Sequence, residues 1–213
     1  DLSFGDKDSA ASALAFEAQC YALLGLPDAA RRPTTEIMAV GPSRDAFGFA
    51  ALILARIGDA PKSSAVLTGL NRDYPGNRYL QIITAPLIHA AQALHNQAAD
   101  AIADLEPLRP FEFGSGPEST GYEPNYLRGL AYLKLGDGAK AAAEFQSILD
   151  HQGVIPIDPE YSLSHLQLAR AYALQGDSAK AKTAYQDFFA LWKDADPDVP
   201  ILTQAKAEYE KLK

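Results

Sequence analysis

Residues 133–145 read LKLGDGAKAAAEF, and forty residues on, residues 173–185 read ALQGDSAKAKTAY. A chain that writes one thirteen-residue phrase twice has to fold it the same way twice, and that narrows the available folds more than any other feature. With the turn glycine as origin, a small residue stands seven before it (Gly129, Ala169) and an aromatic four before (Tyr132, Tyr172). An alanine follows five after (Ala141, Ala181) and an aromatic nine after (Phe145, Tyr185). The same offsets give Ala51, Leu54, Ser63 and Leu67 around Gly58, and Ala18, Tyr21, Ala30 and Thr34 around Gly25. A fifth copy turns at Asn96, with Ala101 and Leu105 in its second half; its first half fits only after a shift of one residue. The turn residues 25, 58, 96, 136 and 176 recur every 33 to 40 residues, the period of stacked helical hairpins.

The offsets have a steric reading. Apolar residues three, four and seven apart line one face of a helix. A small residue on each of two helices lets the backbones approach, and a large one fills the space beside it. Glycine ends the first helix in a left-handed cap, a conformation open to Asn96 in the third copy, whose turn is expected to be irregular. Asp59, Asp137 and Asp177, each directly after a turn glycine, stand where the next helix needs an N-terminal cap. A single hairpin leaves an apolar face bare, so the phrase has to recur for the faces to cover one another.

Composition narrows the function classes. The 213 residues carry 19 Lys plus Arg against 27 Asp plus Glu, a formal charge of −8, which argues against a general nucleic-acid binder. No apolar run approaches the length of a membrane span. The lone cysteine, Cys20, cannot form an internal disulfide and reads as a buried structural thiol on a helix. The chain starts at Asp1, has Met38 as its only methionine and shows no signal peptide, so it reads as part of a longer polypeptide.

Gly129-x-x-Tyr132, Gly136, Ala141 and Phe145 resemble the tetratricopeptide repeat, and the resemblance extends over residues 9 to 190. Asn125 and His165 depart from it, standing where that family often has tryptophan. The stretches beginning YLRGLAYLKLGDGAKAAAEF and HLQLARAYALQGDSAKAKTAY are similar to the C-terminal repeat region of bacterial serine/threonine protein kinases, and related regions follow winged-helix transcriptional regulators. The resemblance implies an all-α, right-handed superhelical solenoid of about five helical hairpins, one domain over 1–213. It also implies a sensory or interaction module whose effector domain lies outside this chain. If the region follows a membrane span, as in similar kinases, it is extracytoplasmic; otherwise it is cytoplasmic.

In such a stack the first helix of each pair lines the concave surface. Positions ten, six, three and two before each turn residue then face a partner. They include Gln19, Leu52 and Arg56 in the first two copies, Tyr126, Leu130, Leu133 and Lys134 in the fourth, and Leu166, Arg170 and Leu174 in the fifth. This groove is small or apolar, with Arg56, Lys134 and Arg170 as separate positive points, and suits an apolar helix or extended segment carrying a few acidic groups. Tyr126 and Lys134 are expected to share one face of their helix.

VGPSR (40–44) and DYPGNR (73–78) read as turns between hairpins. The insertion at 109–125, RPFEFGSGPESTGYEPN, has glycine and serine in its centre and Phe111, Phe113 and Tyr122 on its shoulders. Its aromatics either anchor it to the stack or form a flap over the groove. A last helix from about Pro200, with Ile201, Ala205, Tyr209 and Leu212 on one side, is expected to cap the open end over 200–213.

No catalytic constellation emerges. Asp194, Asp196 and Asp198 alternate like a calcium loop, but Val199 and Ala205 stand where that motif needs glycine and glutamate. His89, His95, His151 and His165 lack zinc-site spacing, and no nucleophile elbow or kinase catalytic loop is present. The expectation is a non-catalytic module binding a protein or peptide, without metal or cofactor. Homodimerisation of a parent protein and small-molecule sensing are the alternatives.

Overall fold

The computed structural model describes residues 4–40, 43–114, 119–155 and 158–212, and these form eleven α-helices with no strand. None of these helices is long and apolar enough to cross a membrane. The helices divide between two units, Asp1–His95 and Asn96–Lys213.

The first unit holds α1 (Phe4–Leu23), α2 (Pro27–Val40), α3 (Arg44–Arg56), α4 (Ala60–Asp73) and α5 (Ala85–Ala93). Helices adjacent in sequence pack together, and α3 also touches α1 and α5. Alanines dominate the contact between the first two pairs: Ala11, Ala15, Ala18, Ala30, Ala46 and Ala50 are buried around Ile37 and Ile53. Small side chains of this kind let helix axes come close. A second cluster joins Ala51, Leu67, Leu70, Leu80 and Ile88. One π-helical turn, Leu80–Thr84, leads into α5, where Pro86 supplies no backbone donor and the amide of Ala85 reaches back five residues to the carbonyl of Leu80.

The second unit holds α6 (Ala98–Leu105), α7 (Glu123–Lys134), α8 (Gly138–Leu149), α9 (Pro159–Leu174), α10 (Ser178–Leu191) and α11 (Pro200–Glu210). Each packs on its sequence neighbour, and α7 also packs on α9. The helix expected from Pro200 is α11, which buries Leu202 as well as the anticipated Ile201 and Ala205.

The repeated phrase is one turn built four times. Gly25, Gly58, Gly136 and Gly176 have φ of 79°, 82°, 78° and 78°. In each case the glycine N–H donates to the carbonyl three residues back, and the next N–H donates to the carbonyl five back: Leu26 to Tyr21, Asp59 to Leu54, Asp137 to Tyr132 and Asp177 to Tyr172, at 2.8 to 3.0 Å. This double bond satisfies carbonyls that a helix end otherwise leaves open. Asp59, Asp137 and Asp177 then cap the next helix, accepting from the amides of Lys62, Lys140 and Lys180. The ammonium groups of those lysines close back on the same carboxylates at 3.1, 2.9 and 3.3 Å. Lys140 and Lys180 also lie over the rings of Tyr132 and Tyr172, each 5.4 Å from the centroid.

The third turn is irregular, as expected, though not through a left-handed asparagine. Phe113 is the only non-glycine residue with positive φ among the described residues, so Asn96 does not adopt the left-handed form. Two residues, His95 and Asn96, separate the cap of α5, Leu94, from that of α6, Gln97, whereas a single glycine separates Leu135 from Asp137. The extra residue removes the need for a left-handed corner and accounts for the one-residue shift in the third copy. Of the two proline breaks, Gly41 and Pro42 lie outside the described residues. Ser43 caps α3 through the amide of Ala46, and Asn77 accepts from the amide of Leu80.

The three aspartates are held below the ordinary carboxylate value of 3.8, Asp59 and Asp137 first by the side chain of their lysine and Asp177 first by its backbone amide. A carboxylate depressed in the folded state contributes stability above its unfolded value, and the contribution is lost as pH falls through its folded value. Asp59→Ala, Asp137→Ala and Asp177→Ala should each lower the melting temperature at pH 7, the triple variant most, with the differences smaller at an acid pH below the folded values of the aspartates. Thermal melts followed by circular dichroism at the two pH values check this.

Candidate functional site

Of the residues expected on the partner face, Gln19, Leu52 and Arg56 are half-buried on α1 and α3. In the second unit Leu130 and Leu133 are half-buried, and Lys134 and Leu174 are exposed at the C-terminal ends of α7 and α9. Two residues are misplaced by the sequence reading. Tyr126 is 2% exposed and Leu166 fully buried, so both belong to the core. The Tyr126 ring meets Phe145 edge-on at 5.8 Å, and its hydroxyl accepts from Gln167 at 3.2 Å. Tyr126 and Lys134 therefore do not share a face. Eight residues on a helix fall about 80° past two full turns, enough to turn one inward and leave the other in water.

Arg170 is present but engaged. Its Nε and Nη2 donate to both carboxylate oxygens of Glu208 on α11, at 2.8 and 3.0 Å, and Nη1 donates to Gln167 at 3.3 Å. The hydroxyl of Tyr185 donates to the same Glu208 at 2.8 Å. Burial, and then the Glu208 carboxylate beside it, push the Tyr185 phenol well above its ordinary range and keep it a donor.

The insertion is more ordered than a bare loop. Pro107 and Pro110 lack amide donors, and residues Glu106–Phe111 run as a 3-10 helix instead of prolonging α6. Ser115, Gly116, Pro117 and Glu118, which include part of its glycine-serine centre, lie outside the described residues. On either side of them the chain is braced: the amide and the hydroxyl of Thr120 both donate to the carbonyl of Phe111. Phe111 and Phe113 are half-buried and Tyr122 is fully buried. The Phe113 ring lies flat on His151, with centroids 4.0 Å apart and planes within 5°. The Tyr122 hydroxyl donates to the carbonyl of His151 and accepts from the amide of Ile155. These two aromatics fasten the insertion to the turn after α8.

The most concentrated chemistry is a cluster the sequence reading did not single out. Arg128 is fully buried, with Nε and Nη2 on the two oxygens of Glu144 at 3.0 and 2.9 Å. Nη2 also lies 2.7 Å from Glu112, and Nη1 donates to the carbonyl of Leu105. Asn125 and Arg109 donate to Glu144 as well, and Arg109 forks onto Glu106, whose carboxyl it holds below the usual range. Two arginines and three carboxylates thus pair in one network that ties the end of α6, the insertion, α7 and α8 together, with Glu112 held by its ion pair to Arg128 and no hydrogen bond at Oε1. The sequence signal was an arginine inside the apolar run NYLRGLAYL and a glutamate inside AAAEFQSIL. Groups paired in this way brace the fold.

Two further features were missed. Phe16 on α1 and Phe49 on α3 are 41% and 49% exposed, and both stand nine residues before their turn glycine. In the second unit the same offset holds Leu127 and Gln167, both buried. A shallow cavity of about 270 Å³ between α1 and α2 is lined by Glu17, Tyr21, Arg32 and Glu36. Its Arg32 is paired with Glu36 at 2.8 Å, and the volume lies just below the range of small-molecule sites. Cys20 is half-buried, not fully buried as expected, and His165 is held below the ordinary imidazole value by burial. No group of three or more His, Cys, Asp or Glu among the described residues could hold a metal ion.

No protein-family model, curated protein or solved structure matches the chain.

Proposed function

We propose that the chain is a non-catalytic module that binds a protein or peptide, built as a right-handed solenoid of tetratricopeptide-like hairpins within a larger signalling protein such as a bacterial serine/threonine kinase. The observation that carries this reading is the turn repeated at Gly25, Gly58, Gly136 and Gly176 with the same pair of hydrogen bonds, joined to contacts between alternate helices, α1 with α3 with α5 and α7 with α9. Such contacts are what a stack requires, because each hairpin covers the apolar face of the next. Stacking leaves one side of the first helices open. In this reading Gln19, Leu52 and Arg56 belong to that side in the first unit, and Leu130, Leu133, Lys134 and Leu174 in the second, so that each unit offers its own apolar face with scattered positive charge. Its complement is an amphipathic segment with one or two carboxylates.

A panel of immobilised amphipathic peptides, each with one or two carboxylates, tests the reading. Peptides that retain the chain should lose at least fivefold in affinity for Lys134→Glu and Leu174→Glu variants, whose exposed positions leave the melting temperature unchanged. A panel with no binder, or binders indifferent to both changes, sinks it. Self-association is the second reading, favoured by the paired exposure of Phe16 and Phe49. Light scattering that shows a dimer for the natural chain and a monomer for the Phe16→Ser/Phe49→Ser variant supports it.

A further inference from the structure

The grip on Glu208 is built largely by parts of the chain other than α11. Its guanidinium comes from α9 and its phenol from α10. Gln167, 4% exposed, accepts from Arg170 and donates to the buried hydroxyl of Tyr126 on α7. The chain of hydrogen bonds Tyr126–Gln167–Arg170 therefore orients the fork on α9 from α7, two helices back. A planar guanidinium held in this way reads a carboxylate by two parallel hydrogen bonds. A cap that only covered apolar surface would have no use for such a relay.

The occupant is joined to α10 by turns, not by a continuous helix. α11 follows the eight-residue segment Trp192–Val199, and the Tyr209 ring stands edge-on against Tyr185 and Phe189, 5.9 and 5.7 Å between centroids. The Arg170 and Glu208 side chains keep 21% and 25% of their surface, so water and a competing carboxylate reach the pair. Arg170 also stands six residues before its turn glycine, a position the binding reading assigns to the ligand face.

We infer that Arg170 and Tyr185 form a carboxylate-recognition site that α11 fills from within the chain. The partner that takes its place is an amphipathic helix with apolar residues three and seven positions ahead of a carboxylate, as Ala205 and Ile201 stand ahead of Glu208. This rests on the peptide-binding reading and names both the ligand chemistry and its internal competitor.

The test uses the full chain and a fluorescein-labelled synthetic peptide with the sequence of residues 198–212, followed by anisotropy. The Glu208→Gln chain should bind this peptide at least tenfold more tightly than the natural chain. A peptide with glutamine at the position of Glu208 should lose that gain, and so should an Arg170→Lys/Glu208→Gln chain. If circular dichroism shows Glu208→Gln to be unfolded, Glu208→Asp, which withdraws the carboxylate by one methylene, should show the same ordering. Equal binding by the natural and variant chains, or binding indifferent to the peptide's carboxylate, overturns the inference. A concentration-dependent dimer of the variant that exchanges α11 overturns it too, by giving the site to a second copy. Panel peptides that bind through Lys134 and Leu174 yet ignore Arg170 would leave the binding reading standing while this inference fails.

Discussion

Arg128→Ala is expected to destabilise the unit Asn96–Lys213 by about 3–5 kcal/mol, the cost of leaving buried charges without their partner. Removing the guanidinium puts the carboxylates of Glu112 and Glu144 side by side in a site from which water is excluded, and strips the Leu105 carbonyl of its donor. Trp192 is the only tryptophan and lies in this unit, so its fluorescence during urea titration reports the loss directly. Arg128→Lys should recover only part of the stability, since an ammonium cannot span both oxygens of Glu144 and still reach Glu112. A midpoint shifted by less than the equivalent of about 1 kcal/mol in Arg128→Ala would show that water enters the cluster.

Gly129→Leu is expected to cost at least about 3 kcal/mol, at or beyond the upper end of overpacking. Even a Cβ at this position would lie 2.5 to 2.9 Å from three atoms of the Phe145 ring. That ring is fully buried and cannot swing away. Gly129→Ala should cost less, and Phe145→Leu added to it should restore part of the loss by removing the atoms in the way. The same urea titration distinguishes these cases; a Gly129→Leu chain as stable as the natural one would mean that α7 and α8 can slide apart.

Gly129 and Phe145 were legible as a pair because they recur at fixed offsets from a turn, and a repeated offset records a repeated contact. The turn glycines and the aspartates after them were legible for the same reason, and so was the all-helical fold. Tyr126 and Leu166 were misread because an offset tells which residues share a stripe of a helix, not what lies against it. The Arg128 cluster escaped because the groups that meet Arg128 sit 16 to 23 residues from it in the chain and the pattern does not recur at the other turns. Glu208 escaped for a related reason: in the polar stretch KAEYEKL a glutamate near a helix end looks solvated, and only the fold brings it to Arg170, 38 residues away. Phe16 and Phe49 could have been found by asking which offsets are aromatic in one half of the chain and not in the other.

The turns at the four glycines are closed by hydrogen bonds that reach three and five residues, and three of them also by an aspartate–lysine pair three residues apart. Contacts that short require almost no loop closure before they form, so each corner can assemble while the rest of the chain is still unfolded. Packing between helices that follow one another extends this locality to the next level, as in the helical proteins that fold in microseconds to milliseconds. Arg128 and Arg170, which draw on distant segments, belong to the late part of such a process. Changes at them should therefore speed unfolding far more than they slow folding, while changes at the turn aspartates should do the reverse.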